Sequence, residues 1–226
     1  MAIIDKPSDY FNTKLFTGNG GTNAITGVGF QPDWIWFKNR TSAQSHAIVD
    51  SVRGRKGLQS NATEAEYTLA SGKDFGTFDS DGFTVLTPQQ LNSFNYNTGS
   101  IVSWNWKAGT SVSGNTSGSG TAKAYSGSVN TTSGFSIITY LGNGTAGHAI
   151  PHHLGTTPAL VIARTISVAK DWNVYHHKNT SAPETEVLVL NTTAATADDL
   201  GVWNDTAPTS SVVTLGDSSQ LNTNDG

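Results

Sequence analysis

The sequence predicts an all-β protein built as two tandem antiparallel β-sandwich domains related by an internal repeat. Three observations lead there. The composition is turn-rich and weakly charged, 36% hydrophobic and 13% charged over 226 residues, with 24 glycines and no cysteine. Short apolar or alternating runs recur between Gly, Asn, Asp and Pro, as strands bounded by turns do. The blocks of the second half also follow the order of those in the first.

The repeat emerges when the second half is slid back by about 126 residues. "KLFTGNGG" (14–21) falls on "ITYLGNGT" (138–145), and Pro32 on Pro158. "WIWFK" (34–38) falls on "LVIAR" (160–164), which sets Lys38 on Arg164. "FTVLTPQQLN" (83–92) matches "VTLGDSSQLN" (213–222). The first copy is expected over 1–110 and the second over 121–226. Residues 111–120 lie in the stretch densest in Gly, Ser and Thr and are expected to form a linker.

Strands are expected at "TKLFT" (13–17), "WIWFK", "HAIVD" (46–50), "FTVL" (83–86) and "SIVSWNWKA" (100–108). In the last, alternation puts Val102, Trp104 and Trp106 on one face, expected to be the core side, with Ser103, Asn105 and Lys107 opposite. "WIWFK" does not alternate and is expected to be covered on both faces. Trp34, Trp36 and Trp106 are therefore assigned to the core, since a small domain depends on a few large rings for buried area. The rival assignment is an exposed aromatic platform for sugar rings. Aliphatic Leu160, Val161 and Ile162 in the second copy argue against it, because they can fill a core but cannot stack on a sugar. "NATEAEYTLA" (61–70) is the one stretch of good helix formers, and it is short.

The second copy is expected to lack its closing strand. The first runs through "LNSFNYNTG" into "SIVSWNWKA", whereas the second ends on "SSQLNTNDG", a turn signal. Either the protein continues past Gly226, or a strand of another chain completes the sheet.

No motif points firmly to chemistry, and the expectation is no enzyme, no cofactor and no metal. "HAIPHH" (148–153) and "YHHK" (175–178) cluster histidines, but the matching part of the first copy has none, and solvated loop histidines are expected. Asp79 and Asp81 in "FDSDGF" resemble the start of a calcium loop without its later carboxylate, so a tight turn is expected. Glu64 and Glu66 sit too close together in sequence to face each other across a glycosidase cleft and are read as solvated. "RGRKG" (53–57) is read as a solvated cationic loop. A net charge of −4 gives no basic footprint for nucleic acid, and no apolar run is long enough to span a membrane.

The blocks "TGNGG", "ITGVGFQPDWIWFKNR", "VDSVRG", "FDSDGFTV" and "IVSWNWKAG", followed by "FSIITYLGNGTAGHAIPHHLGTTPALVIAR" and "WNDTAPTSSVVTLG", resemble a tandem repeat of tail-fibre and other virion-associated proteins of tailed bacteriophages of aquatic and marine bacteria. The resemblance covers nearly the whole chain. It implies jelly-roll-like sandwiches distantly similar to concanavalin A, and no defined catalytic residues. The expected role is a fibre or adhesin segment that recognises a host-surface glycan through loops at the sandwich ends. The alternatives are a capsid, baseplate or tail accessory protein that binds other virion proteins, and last a polysaccharide-degrading enzyme. Expected partners are other virion proteins and a host glycan, in a homo-oligomer such as the trimer common among fibres. "MAIIDKPSDYF" lacks a cationic stretch before an apolar core, so synthesis in the host cytoplasm and location in the virion are expected.

Overall fold

The computed structural model describes residues 4–224. Its described residues divide into two compact units, one formed by residues 4–62 with 66–109, the other by 63–65 with 110–224. Nearly all regular structure is antiparallel β, as composition and patterning predict.

The first unit contains β1 (Phe11–Thr17), β2 (Asn23–Thr26), β3 (Trp34–Asn39), β4 (Ala47–Asp50), β5 (Lys56–Gln59), β6 (Tyr67–Thr68), β7 (Phe75–Asp79), β8 (Gly82–Val85) and β9 (Ser100–Trp106). They form a six-stranded sheet in the order β1-β9-β3-β4-β5-β6 and a three-stranded sheet β2-β8-β7. The last strand thus returns to lie between β1 and β3. Ile35, Phe37, Ala47, Val49 and Ile101 of the large sheet share one core with Ile25, Phe75, Phe83 and Val85 of the small one, which makes the unit a sandwich. Phenylalanines hold its centre. Phe37 meets Phe83 at 5.2 Å between centroids and Phe94 at 5.1 Å, both edge-on, a favoured geometry for buried rings.

The tryptophans lie elsewhere. Along β3 burial alternates, with Ile35 and Phe37 wholly inside and Trp34 and Trp36 half-buried on the opposite face. The core side of β9 is likewise the reverse of the one expected. Ile101, Ser103 and Asn105 point inward and are fully buried, while Trp104 and Trp106 face out. The inner polar residues are partly satisfied there: Asn105 Oδ1 has no partner among the described residues, but its Nδ2 does. Asn105 Nδ2 donates to the Asn12 carbonyl at 3.0 Å and to Ser103 Oγ at 3.1 Å, which offsets part of the cost of removing an amide from water. "NATEAEYTLA" forms no helix; it contributes β6, tied to β5 by pairing of Gly57 with Tyr67.

One buried amide organises the first unit's loops. Asn95 is fully buried. Its Oδ1 accepts from the Asn19 backbone N–H at 3.0 Å, and its Nδ2 donates to the carbonyls of Gly21 and Leu86 at 2.6 and 3.1 Å. This clasp fastens the turn after β1 to the loop that leads into β9. The loop passes so close to Gly18 that a Cβ there would lie 2.1 Å from the Tyr96 carbonyl oxygen, so only glycine fits.

The second unit contains β10 (Thr110–Asn115), β11 (Ser117–Gly118), β12 (Ala124–Asn130), β13 (Phe135–Tyr140), β14 (His148–Pro151), β15 (Leu160–Ala163), β16 (Asn173–His176), β17 (Glu186–Val189), β18 (Ala197–Asp198), one helical turn α1 (Leu200–Trp203) and β19 (Val212–Leu215). The expected linker at 111–120 is instead part of this fold. β10 pairs with β12 along its whole length, and β11 pairs with β14. Small residues allow this because their backbone groups bond as well as any in a ladder, while their mostly exposed side chains bury little. The sheets are β10-β12-β13, β11-β14-β19 and β15-β16-β17-β18. Their common core is Ile150, Tyr175, Val187, Val202, Trp203, Val213, Leu215 and Leu221, with Ile138, Tyr140, Val161 and Ala163 packed at its margin.

A second clasp holds this unit. Asn222 Oδ1 accepts from the N–H groups of Asn143 and Gly144 at 2.9 and 3.2 Å, and Nδ2 donates to the carbonyls of Thr145 and Gly216 at 3.0 and 2.8 Å. A Cβ on Gly142 would lie 2.0 Å from the Thr223 carbonyl oxygen. By its bonds the counterpart of Asn222 is Asn95, not the Asn92 that the sequence match selected; the loop after β19 is the shorter of the two. Among the described residues no strand follows β19. The expected Asn-Asp-Gly turn reaches 225 and 226, which lie outside them.

Phe37→Ala should cost about 3–5 kcal/mol in chemical unfolding, and Trp36→Ala distinctly less because that ring is already half in water. Asn95→Ala should cost about 2–3 kcal/mol, since it leaves buried backbone groups of two loops without partners.

Candidate functional site

The buried charges of the first unit are engaged in holding the fold. Asp74 accepts from the backbone N–H groups of Gln89 and Gln90 at 2.8 and 3.1 Å. Asp33 accepts from Ser51 Oγ at 2.7 Å and the Ala108 N–H at 2.9 Å. "RGRKG" is not a solvated loop. Arg53, with its side chain 7% exposed, pairs with Asp50 at 2.6 Å and Glu66 at 3.0 Å, and Lys56 joins Glu66 at 3.3 Å. Arg55 donates to the carbonyls of Ala70 and Phe75. Glu66 is thus an ion-pair partner rather than a solvated charge, while Glu64 is exposed as expected.

The two aspartates of "FDSDGF" close a hairpin. Asp81 accepts from the Gly27 and Gly29 N–H groups at 2.9 and 2.7 Å, and these bonds hold its carboxyl below the ordinary aspartate range. Asp79 accepts from Thr77 Oγ1 and Thr84 Oγ1, both at 2.7 Å. Asp81 thus ties the hairpin to the loop after β2, and Asp79 braces the two strands of the hairpin.

The histidines of the second unit do not converge, and among the described residues no three metal-ligating side chains gather. His148 and His152 are buried, contrary to expectation, while His153, His176 and His177 are exposed. His148 Nδ1 lies 3.0 Å from Asn222 Oδ1 and Nε2 lies 2.7 Å from Thr116 Oγ1. Asn222 Oδ1 already accepts two backbone N–H groups, so Nδ1 of His148 must carry a proton and donate. Thr116 Oγ1 accepts from the Lys123 N–H at 2.8 Å and can give its own proton to Nε2. Burial of the ring favours the neutral form. His152 accepts the Leu154 N–H at Nδ1 and donates from Nε2 to the Thr209 carbonyl, both at 3.2 Å.

The remaining feature is the outer face of the first unit's large sheet. Register sets Phe11, Trp106 and Trp34 in one row across β1, β9 and β3, then Thr13, Trp104 and Trp36, then Leu15, Val102 and Lys38. The rings form a tilted ladder. Trp106 lies 4.7 Å from Phe11 and 4.6 Å from Trp34, Trp34 lies 5.8 Å from Trp36, and Trp36 lies 6.2 Å from Trp104. Neighbouring planes meet at 53–71°, so the face offers separate ring edges and faces rather than one flat platform. Phe11 and Leu15 at its margin are 39% and 60% exposed. Trp36 Nε1 is buried without a hydrogen-bond partner among the described residues, a donor for which the fold supplies no acceptor.

Sequence reasoning weighed an exposed aromatic platform here and set it aside, because it treated tryptophan as core and Ser103 and Asn105 as solvent. The signal was present in "WIWFK", where Ile35 and Phe37 alone suffice for the inner positions. In the second unit Leu160 and Ile162, also read as core, are 51% and 36% exposed.

The fold and its surfaces define an all-β sandwich protein. A family model described as a domain of unknown function (DUF7483) matches residues 6–226, and the chain belongs to that family. No curated protein and no solved structure matches the chain. No helix among the described residues is long and apolar enough to cross a membrane.

Burial lowers the proton affinity of both His148 and His152 below the ordinary value of 6.5. The unfolded chain then binds more protons than the folded one between the folded-state values and about 6.5. The second unit should be at full stability above that pH and lose stability as pH falls below it. Urea midpoints at pH 7.5 and pH 5 check this, and His148→Gln, although less stable at pH 7.5, should show a flatter dependence.

Proposed function

We propose that the chain is a structural component of a tailed-phage virion, a tail-fibre or receptor-binding segment that acts by recognition and not by turnover. It would be made in the host cytoplasm and assemble as a homo-oligomer alongside other virion proteins, without nucleic acid or membrane insertion. The resemblance of its repeated blocks to fibre proteins supports the setting. The observation that carries recognition is the aromatic ladder, whose bulky rings stand on a face the core does not need. Trp104 and Trp36, beside exposed Phe11 and Leu15, would pack against the apolar C–H faces of a host-surface sugar. The proposed contact thus lies on the sheet face rather than on the sandwich-end loops.

A second reading is an accessory subunit of capsid, baseplate or tail that binds other virion proteins. It is favoured by β15, an edge strand that exposes aliphatic side chains. Edges of this kind pair readily with further polypeptide.

Labelled protein applied to a glycan array and to host cells tests the first reading. It should bind a defined sugar class, and Trp104→Ala should weaken binding at least about tenfold, which is about 1.4 kcal/mol, with its circular dichroism unchanged. Absence of sugar and cell binding, or equal binding by the variant, would remove the glycan role and leave the accessory one.

A further inference from the structure

We infer that the second unit carries a binding slot for an extended polypeptide segment of another chain, which pairs with β15 and lies between β15 and β13. The inference starts from the course of the two units. β3-β4-β5-β6 and β15-β16-β17-β18 run in the same order, β2 pairs with β8 as β14 does with β19, and Asn95 and Asn222 make corresponding clasps. In the first unit β9 lies between β1 and β3 and pairs with both. In the second unit the strands at those places, β13 and β15, belong to separate sheets. Both nonetheless flank a single core, to which Ile138, Tyr140, Val161 and Ala163 contribute.

Two physical signs mark the position as unfilled on the β15 side by any described residue. Ile35 and Phe37 of β3 are 0% exposed, while Val161 and Ala163 at the same places in β15 are only half-buried. The backbone gives the second. The His177 N–H donates to the Ala159 carbonyl at 3.0 Å, so in an antiparallel ladder residues 159, 161 and 163 bond to β16. The N–H and C=O groups of Leu160 and Ile162 then point to the opposite edge. Their counterparts Trp34 and Trp36 meet Trp106 and Trp104 of β9 there.

The occupant's chemistry follows from β9. It is an uncharged extended segment with small, polar or branched residues at the inner positions, as Ile101, Ser103 and Asn105 are. Bulky apolar residues at the outer positions would lie beside Leu160 and Ile162. Backbone bonding supplies affinity and the alternate side chains supply register. This slot is separate from the aromatic ladder and stands whether or not that face binds sugar.

The probe is a synthetic peptide of residues 99–108, GSIVSWNWKA, titrated into the whole chain by calorimetry beside a scrambled peptide of the same composition. Saturable one-to-one binding of the ordered peptide alone is expected. Ile162→Pro removes the N–H that faces the slot and leaves the bonds to β16 intact, so it should weaken binding at least tenfold while the unfolding transition stays in place. No saturable binding, equal binding of the scrambled peptide, or unchanged binding by Ile162→Pro would overturn the site. A chain that self-associates through this edge, and dissociates on Ile162→Pro, would overturn the assignment to a foreign strand.

Discussion

Each unit depends on one buried carboxamide. Asn95 and Asn222 both lie where a loop approaches the turn after an early strand, and each bonds to backbone on both sides. An amide suits the position because it donates and accepts at once, so it can replace the ladder bonds that two crossing loops cannot make with each other. Much else follows from the approach it enforces. Gly18 and Gly142 must lack a side chain because a carbonyl occupies the space. In the second unit the same carboxamide accepts from Nδ1 of His148 and so fixes its tautomer, while burial of the ring lowers its proton affinity and links the stability of the unit to pH.

The strands were legible in the sequence because apolar runs between Gly, Asn, Asp and Pro have few other ways to fold. "WIWFK" lies in β3, and all but one residue of "HAIVD" and of "FTVL" lie in β4 and β8. Which face looked inward was not legible. Period 2 fixes alternation but not direction, and the direction in β9 is decided by an amide network among Asn12, Ser103 and Asn105 that only folding assembles. Arg53 and Arg55 were hidden in the same way. Their inward course depends on Asp50, Glu66 and backbone carbonyls brought in from other loops. The Gly/Ser/Thr-rich segment at 111–120 looked like a linker because strands built on small residues leave no apolar pattern.

The candidate site was legible only as an alternative. Tryptophan density marked the region, but the ladder needs the register of three strands, Phe11 to Trp106 to Trp34, before it exists as a surface. The metal, calcium and glycosidase candidates are used elsewhere in the fold: the aspartates close a hairpin, two histidines brace the second unit, and Glu66 neutralises arginine. Surfaces rather than buried charge are what this molecule offers a partner, and the two surfaces differ in kind. One presents rings from a completed sheet. The other presents backbone from a sheet that ends at β15.

Amide hydrogen exchange of the chain by itself bears most directly on that contrast. The account predicts that Trp36, bonded to β9, exchanges only with deep opening of the first unit, while Leu160 and Ile162 exchange within the first time points. Val161 and Ala163, which face β16, should exchange more slowly than both. Equal and strong protection along all four residues of β15 would contradict the account.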